Sequence, residues 1–356
     1  MPEDYLNWLK RLLEIVVVEN ASDLHLVANV PPTIRVEGKI VPLVQEGVLR
    51  PEDVEGLIFS ILDEQQKDTL FQQREIDFSF EYGEKARFRT NVFFQRGYVS
   101  AALRYIPPKI PTIEELNLPP ILHYFTKANQ GFVLITGPSS HGKSTTLAAL
   151  IDEINHFRQE HIITIEDPIE YVFVPDKSII EQREVGYDTL SFARALRSTF
   201  RQDPDVIMVG EMRDPESIAI AITAAETGHL VFSTLHTNSA AQTIHRIVDS
   251  FPPEQQPQVR AQLAGSLLGI VSQRLVPRIK GGLIPACEVM LMTPAIANLI
   301  RENKIHEIPV VIETSQEIGM ITLNRSLADL VKKGEISMEN AFKYSLNPSE
   351  LRTLLR

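Results

Sequence analysis

The sequence predicts an α/β protein in which a doubly wound, mainly parallel sheet follows a small α+β domain. Two patterns support this class. After about residue 120, continuous apolar runs alternate with helical stretches, as expected when strands are buried on both faces. Before about residue 106, short segments alternate apolar and polar residues, which is typical of antiparallel strands with one solvated face. A proline-rich stretch, IPPKIPTIEELNLPP, separates the two patterns.

The first part of the chain predicts a helix followed by strands. Residues 4–19 carry apolar residues at helical spacing, and DLHLVANV and TIRVEGKIVPL are typical of strands, the second with a turn at Glu37-Gly38. Residues 51–72 favour helix, and EIDFSFEY, KARFRTNVFF and YVSAALRYI predict an antiparallel meander. We therefore expect an α+β domain over residues 1–106 and a hinge linker over residues 107–120, where prolines resist both helix and central strand.

The second domain is predicted to span residues 121–356. Four segments are typical of buried strands, namely GFVLITG, HIITIED, DVIMVGE and HLVFSTLH. A helix is expected from Lys143 to about Arg158. From about residue 253 onward the sequence predicts mostly helix, with one β-like interruption, RLVPRIKGGLIPACEVMLM.

Composition limits the classes of function. The net charge of −11 disfavours binding to nucleic acid, which needs a basic surface to neutralise phosphates. One cysteine, Cys287, excludes an internal disulfide and a cysteine-based zinc site within one chain, and its apolar surroundings predict a buried residue. No apolar run approaches the roughly 20 residues that span a bilayer, and the N-terminal segment does not resemble a signal peptide. We therefore expect a cytoplasmic protein without an integral membrane segment.

The segment GPSSHGKS fits the pattern of a phosphate-binding loop, G-x-x-x-x-G-K-[ST]. A buried strand precedes it and a helix follows it, which is the context such a loop requires. Its backbone N–H groups would face a phosphate at a helix N-terminus, Lys143 would reach the β- and γ-phosphates of ATP, and Ser144 would ligate Mg²⁺. Ser140 would carry a steric cost if the loop requires a positive φ there. The predicted nucleotide-binding residues are Gly137, Pro138, Ser139, Ser140, His141, Gly142, Lys143, Ser144 and Thr145.

Carboxylates at the ends of neighbouring strands complete a predicted nucleotide site. Glu211 follows one apolar strand, with Gly210 where an aspartate is usual, and Glu166 and Asp167 follow another. Ligands bind at the carboxyl edge of such a sheet. We expect one group of acids to help hold Mg²⁺, through Asp167 or Glu211, and the other to polarise the attacking water.

The segment HLVFSTLH begins and ends with a histidine, on either side of the predicted strand. His236 follows its carboxyl end and is a candidate sensor of the γ-phosphate, whereas His229 precedes it at the other end and is the weaker candidate.

These motifs resemble the secretion ATPase superfamily and, within it, the type IV pilus retraction ATPases of the PilT family. Further segments share the resemblance, namely ASDLHL, RFRTN, ITIEDPIEYV, LRSTFRQDPDVIMVGEMRDPESI and SQRLVP. The similarity runs collinearly from about residue 21 to the C-terminus. It implies a RecA-like ATPase domain, a PAS-like N-terminal domain and a homohexameric ring at the cytoplasmic face of the inner membrane. Its partner there would be the platform protein at the pilus base.

The resemblance also implies roles for individual residues. Glu166 would be the catalytic base, Glu211 the Walker B acid, and His229 and His236 the His box, while Arg89 and Arg104 of the N-terminal domain would reach the nucleotide. Two motifs depart from the family pattern. The phosphate loop has SSH, residues 139–141, where members commonly have TGS, and Ala297 stands where an arginine is expected in TPAIANLIREN. The alternatives are a pilus-assembly or type II secretion ATPase, and a nucleic-acid motor or a non-hydrolysing regulator.

Overall fold

The computed structural model describes residues 4–36, 38–83, 86–212 and 214–356. The chain divides into two compact units, one formed by Met1–Lys109 with Pro168–Val172 and the other by Ile110–Asp167 with Phe173–Arg356. The division of the chain thus falls within the predicted hinge, and the hinge role of residues 107–120 stays a prediction.

The first unit contains an antiparallel sheet with helices from the N-terminal part of the chain. Within the described residues the sheet has six strands in the order β3-β2-β1-β6-β5-β4. Its core includes Leu9, Leu13, Phe78 and Phe88, which are almost fully buried. The elements are α1 Tyr5–Val18, β1 Asp23–Leu26, β2 Thr33–Val36, β3 Lys39–Pro42, α2 Pro51–Phe59, α3 Glu64–Gln73, β4 Glu75–Tyr82, β5 Ala86–Gln95 and β6 Tyr98–Ile106.

The second unit contains the doubly wound sheet. Its seven described strands lie in the order β13-β12-β7-β11-β10-β8-β9, and all neighbours are parallel except β12 and β13. The first elements of this unit are α4 His123–Thr126, β7 Gly131–Thr136, α5 Lys143–Phe157, β8 His161–Glu166, β9 Ile179–Glu184, α6 Phe192–Thr199, β10 Val206–Val209 and α7 Pro215–Glu226. The remaining elements are β11 Leu230–Leu235, α8 Ala240–Asp249, α9 Gln256–Ser266, β12 Leu267–Pro277, β13 Leu283–Leu291, α10 Pro294–Arg301, α11 Ile308–Thr314, α12 Leu323–Lys332, α13 Met338–Tyr344 and α14 Pro348–Leu354.

The predicted fold class is confirmed, and the differences concern single elements. Residues 51–72 form two helices, because Asp63 caps α3 and accepts a hydrogen bond from Gln66 N. The β-like interruption consists of two long strands, of which β12 begins at Leu267 and pairs with β7. Strand β9 was not predicted, since most of its residues are at least partly exposed and lack a continuous apolar run. The predicted turn at Glu37-Gly38 includes Glu37, which lies outside the described residues.

Candidate nucleotide-binding site

The phosphate loop connects β7, which is buried along its whole length, to α5. Gly137 has a φ of +145°, and a Cβ there would lie 2.4 Å from the backbone oxygen of Gln273, so no larger residue fits. Ser140 and Gly142 also have positive φ, at +63° and +79°. The loop therefore does require the left-handed conformation at Ser140, the condition under which a steric cost is expected.

Lys143 lies at the first position of α5 and is only 8% exposed. Its Nζ donates to the carbonyl oxygens of Gly137 and Pro138, at 3.0 and 2.9 Å, which holds the ammonium group over the loop. Ser144 is exposed in the first turn, and Thr145 beside it is half-buried. Backbone N–H groups at such a helix N-terminus favour a bound anion.

Strand β12 supports the loop from the side, a contribution that the sequence reasoning missed. The side chain of Gln273 accepts a hydrogen bond from Thr146 Oγ1 at 2.8 Å and donates to the carbonyl oxygen of His141 at 2.6 Å. Next to it, Ser272 Oγ lies 2.6 Å from Thr136 Oγ1 at the end of β7. The motif SQRLVP contains these residues, but a sequence motif alone does not say which strand its side chains contact.

The predicted acids lie at the carboxyl ends of the adjacent strands β8 and β10. Glu166 is 7% exposed, and its Oε1 accepts hydrogen bonds from Thr164 Oγ1 and Gln182 Nε2, at 2.7 and 3.1 Å. A Cβ on Gly210 would lie 3.3 Å from the Ile165 oxygen, so glycine lets β10 approach the end of β8 closely. Asp167, half-buried, follows Glu166 directly.

His236 joins the phosphate loop to the acid after β10. Its Nδ1 lies 3.3 Å from Lys143 Nζ and 3.4 Å from Ser139 Oγ, and its Nε2 lies 3.1 Å from Glu211 Oε1. The side chain of His236 is 44% exposed and that of Glu211 25%, so both remain accessible from the solvent. This contact brings together three residue types that phosphoryl transfer uses, namely a cation, a hydrogen-bonding sensor and a carboxylate.

The segment after His236 is fixed on both sides. Arg274 of β12 donates from Nη2 to Asn238 Oδ1 at 2.8 Å. Glu288 of β13 accepts from the backbone N–H of Ala240, the first residue of α8, at 2.7 Å, and burial of its carboxyl group raises the pKa of Glu288 to about 7. These anchors restrict the backbone that carries His236.

His229 is not brought to the phosphate loop within this chain. It precedes β11, whereas His236 follows it, and seven residues of extended chain span roughly 20 Å. Its Nδ1 lies 2.9 Å from the Ala224 oxygen, and its ring packs edge-on against Phe200. A catalytic role for His229 stays a prediction.

The two predicted arginines lie directly opposite each other in the first unit. Arg89 of β5 pairs with Arg104 of β6 in the sheet register. Arg89 forms an ion pair with Glu170 at 3.0 Å, and Arg104 donates from Nε to Asp23 Oδ1 at 3.0 Å. The carboxylates compensate two like charges that would otherwise repel across the strands. Whether either arginine reaches a nucleotide stays a prediction.

Ala297, which stands where an arginine was expected, lies on α10 and is 7% exposed, so this position presents little surface to solvent.

Among the described residues, no group of three or more His, Cys, Asp or Glu side chains is arranged to hold a metal ion. A magnesium site that uses one or two carboxylates and the phosphates of a nucleotide does not need such a group.

Comparison with known proteins agrees with this geometry. The family described as "Type II/IV secretion system protein" matches residues 5–317. A type IV pilus retraction ATPase, PilT, of Pseudomonas aeruginosa is 49% identical over 94% of this chain and 96% of its own length. A twitching motility protein of Neisseria gonorrhoeae is 45% identical over 96% of this chain and 91% of its own length.

Among solved structures, the pilus retraction motor PilT with bound ADP superimposes with a TM-score of 0.88 at 48% identity, covering 97% of this chain and 98% of that one. At this coverage the similarity extends over both units. The chain therefore belongs to the Type II/IV secretion system protein family and is an ATPase.

Proposed function

We infer that this ATPase is the motor that powers type IV pilus retraction, and thus twitching motility. The contact of His236 with both Lys143 and Glu211 carries the catalytic part of the inference, because it couples the phosphate loop to a strand-end acid. The pilus assignment is supported by the two relatives and the retraction motor, which match this chain over nearly their whole lengths.

Each site residue has a distinct role in this proposal. The backbone of residues 137–145 binds the phosphates, and Lys143 neutralises charge on the β- and γ-phosphates. Glu166 acts as the base that accepts a proton from the attacking water, and hydrogen bonds from Thr164 and Gln182 help to hold the carboxylate in place. Glu211 and His236 form a pair that senses the γ-phosphate.

The residues present fit a magnesium ion. The Ser144 hydroxyl would hold it, with Asp167 or Glu211 nearby through water, in keeping with the oxygen ligands and retained waters that this ion prefers. The ion would supply charge neutralisation between the β- and γ-phosphates.

The proposed motor is a homohexameric ring that works at the inner-membrane base of the pilus, on the cytoplasmic side, against a platform protein. Within the described residues, none of the helices has the length and apolar character that crossing a bilayer requires. Head-to-tail contacts can close into a ring, and a ring would let arginines of one subunit complete the site of the next. Pilus assembly is the alternative.

The proposal is tested by comparing purified protein with a deletion strain of the source cell. We expect the deletion to leave surplus surface pili without twitching, and a strain expressing Glu166→Gln to show the same phenotype. In vitro, Glu166→Gln should bind nucleotide and hydrolyse ATP about 10²-fold more slowly, the scale of lost general-base help. Lys143→Ala should lose hydrolysis.

Glu64→Gln is a matched control, since Glu64 is 91% exposed in the first unit and the substitution should change neither readout. A deletion strain that lacks surface pili would instead support assembly. Wild-type turnover by Glu166→Gln would transfer the role of the base to another residue, with Glu211 the next candidate.

A further inference from the structure

His141 occupies an unusual place in the phosphate loop. It follows Ser140, whose left-handed backbone is strained for a residue with a Cβ. It precedes Gly142, also left-handed. Such a backbone persists only when the surroundings hold it in place. The side chain of His141 is half-buried against the protein, and its contacts show what does the holding.

Three contacts fasten His141 to other elements. The backbone N–H of Leu275 on β12 donates to His141 Nδ1 at 2.9 Å, and Gln273 Nε2 donates to the His141 carbonyl oxygen at 2.6 Å. The imidazole also packs edge-on against Tyr344 at the end of α13, with ring centroids 6.3 Å apart. Both backbone and side chain of this one residue are thus tied to parts of the chain more than 130 positions away.

The hydrogen bond from Leu275 fixes the protonation state of the ring. Nδ1 accepts this bond, so the proton of the neutral imidazole is on Nε2. Burial, followed by the charges of Arg274 on β12 and Lys143 on α5, lowers the pKa of His141. The Tyr344 side chain also packs on the ring. The environment therefore favours the neutral ring that the geometry requires.

We propose that His141 is a positioning residue for nucleotide binding, which locks the phosphate loop onto β12 through its Nδ1 acceptor and onto α13 through its ring contact with Tyr344. The backbone N–H groups of residues 139–142 point at a phosphate only when the loop keeps its left-handed turns. Releasing the bond to Leu275 leaves a backbone donor without its partner and lets the loop relax. The effect falls on nucleotide affinity, because the contacts of His141 with Gln273, Leu275 and Tyr344 hold the loop that binds the phosphates.

The experiment compares two small polar replacements. In His141→Asn, Oδ1 stands the same number of bonds from Cα as Nδ1 and can accept from Leu275. In His141→Ser the hydroxyl oxygen stands one bond closer to Cα, so it is too far from Leu275 to accept the bond. We expect His141→Ser to raise the ADP Kd and the KM for ATP about tenfold, as for the loss of one buried hydrogen bond, with kcat within about twofold. His141→Asn should restore both constants to within about threefold of wild type.

A matched control and a second measurement keep the test decisive. His306→Ser makes the same replacement at a side chain that is 76% exposed and should leave both constants unchanged. Tyr344→Leu removes the ring contact, keeps the acceptor and should raise the Kd about two- to threefold; it serves if His141→Ser does not fold, as judged by circular dichroism. Wild-type affinity in Tyr344→Leu would then overturn the proposal.

Other results also decide the question. Wild-type affinity in His141→Ser, or an equal loss in the Asn and Ser variants, would show that the Nδ1 acceptor does not position the loop. A fall in kcat at constant KM would assign His141 to the chemical step instead. The inference rests on the ATPase activity of the chain. A failure of the inference can be told apart from a failure of that activity, because wild-type protein that binds no ADP would refute the activity itself.

Discussion

Ser140 and His141 occupy neighbouring positions in the loop but have different physical roles. From the sequence, both stand at variable positions inside the loop pattern, and Ser140 carries a steric cost if the loop requires a positive φ there. The structure distinguishes them. Ser140 has a strained positive φ and an exposed side chain, whereas the His141 ring accepts a hydrogen bond from the Leu275 backbone on β12. A strained backbone at Ser140 is thus followed directly by a residue, His141, that fastens the loop to β12.

Replacing Ser140 by glycine should relieve the strain. Glycine adopts φ of +63° at no steric cost, and the loop keeps every backbone donor. We expect Ser140→Gly to bind ADP at least as tightly as wild type and to raise the thermal midpoint at saturating ADP by a degree or more. Ser139→Gly is the control, since Ser139 is not in the left-handed region, and it should give no gain. A large loss of affinity in Ser140→Gly would mean that the Ser140 hydroxyl contacts the nucleotide.

At the scale of elements, α5 connects the phosphate loop to α4 and, through His123 of α4, to the segment before it. Glu153 on α5 lies 2.8 Å from His123 Nδ1 and accepts from Thr126 Oγ1 at 2.7 Å, and His123 Nε2 lies 2.9 Å from Glu114. The hydrogen bond to Glu153, followed by its charge and then by Glu114, raises the pKa of His123. The helix that starts at Lys143 is therefore tied at its other end to a chain segment that is predicted to act as a hinge.

This cluster predicts a pH-dependent contribution to stability. Because the pKa of His123 is raised on folding, its contribution is fully present below the unfolded value of about 6.5 and is lost as pH rises through the folded value. His123→Gln should lower the thermal midpoint more at pH 6 than at pH 9, with a loss of roughly 1 kcal/mol or less for so exposed a cluster. Midpoints measured at constant ionic strength check this, with His306→Gln as an exposed control. An equal effect at both pH values would mean that charge plays no part.

At the scale of the whole molecule, the proposal that arginines of one subunit complete the nucleotide site of the next can be tested directly. Arg89 and Arg104 lie in the first unit, and the phosphate loop lies in the second. Each arginine already has a carboxylate partner, but its guanidinium has five N–H donors and the pairs shown use one nitrogen each, so donors remain for a phosphate. Arginine suits such a role because its planar fork matches phosphate oxygens.

Mixing two inactive variants tests whether the arginines act between subunits. Arg104→Ala should be nearly inactive alone, since an arginine in the transition state contributes about 10³-fold or more, and Lys143→Ala should be inactive as well. After subunit exchange, interfaces that join an intact Lys143 to an intact Arg104 should recover part of the ATPase rate. Mixtures that exchange subunits and stay inactive at every ratio would place Arg104 in the site of its own chain.

The sequence by itself determined the fold class and predicted a two-part organisation and a nucleotide site, because these depend on local patterns. A buried strand, a glycine-bounded loop and a helix place Lys143, and strand ends place Glu166 and Glu211 at the same sheet edge. Only the tertiary structure decided which of the distant residues meet them. His236 reaches Lys143 across 93 positions, and Gln273 and Leu275 reach His141 because β12 pairs with β7. Those contacts depend on strand order and register, which arise from packing over the whole sheet and leave no periodic signal in any one segment.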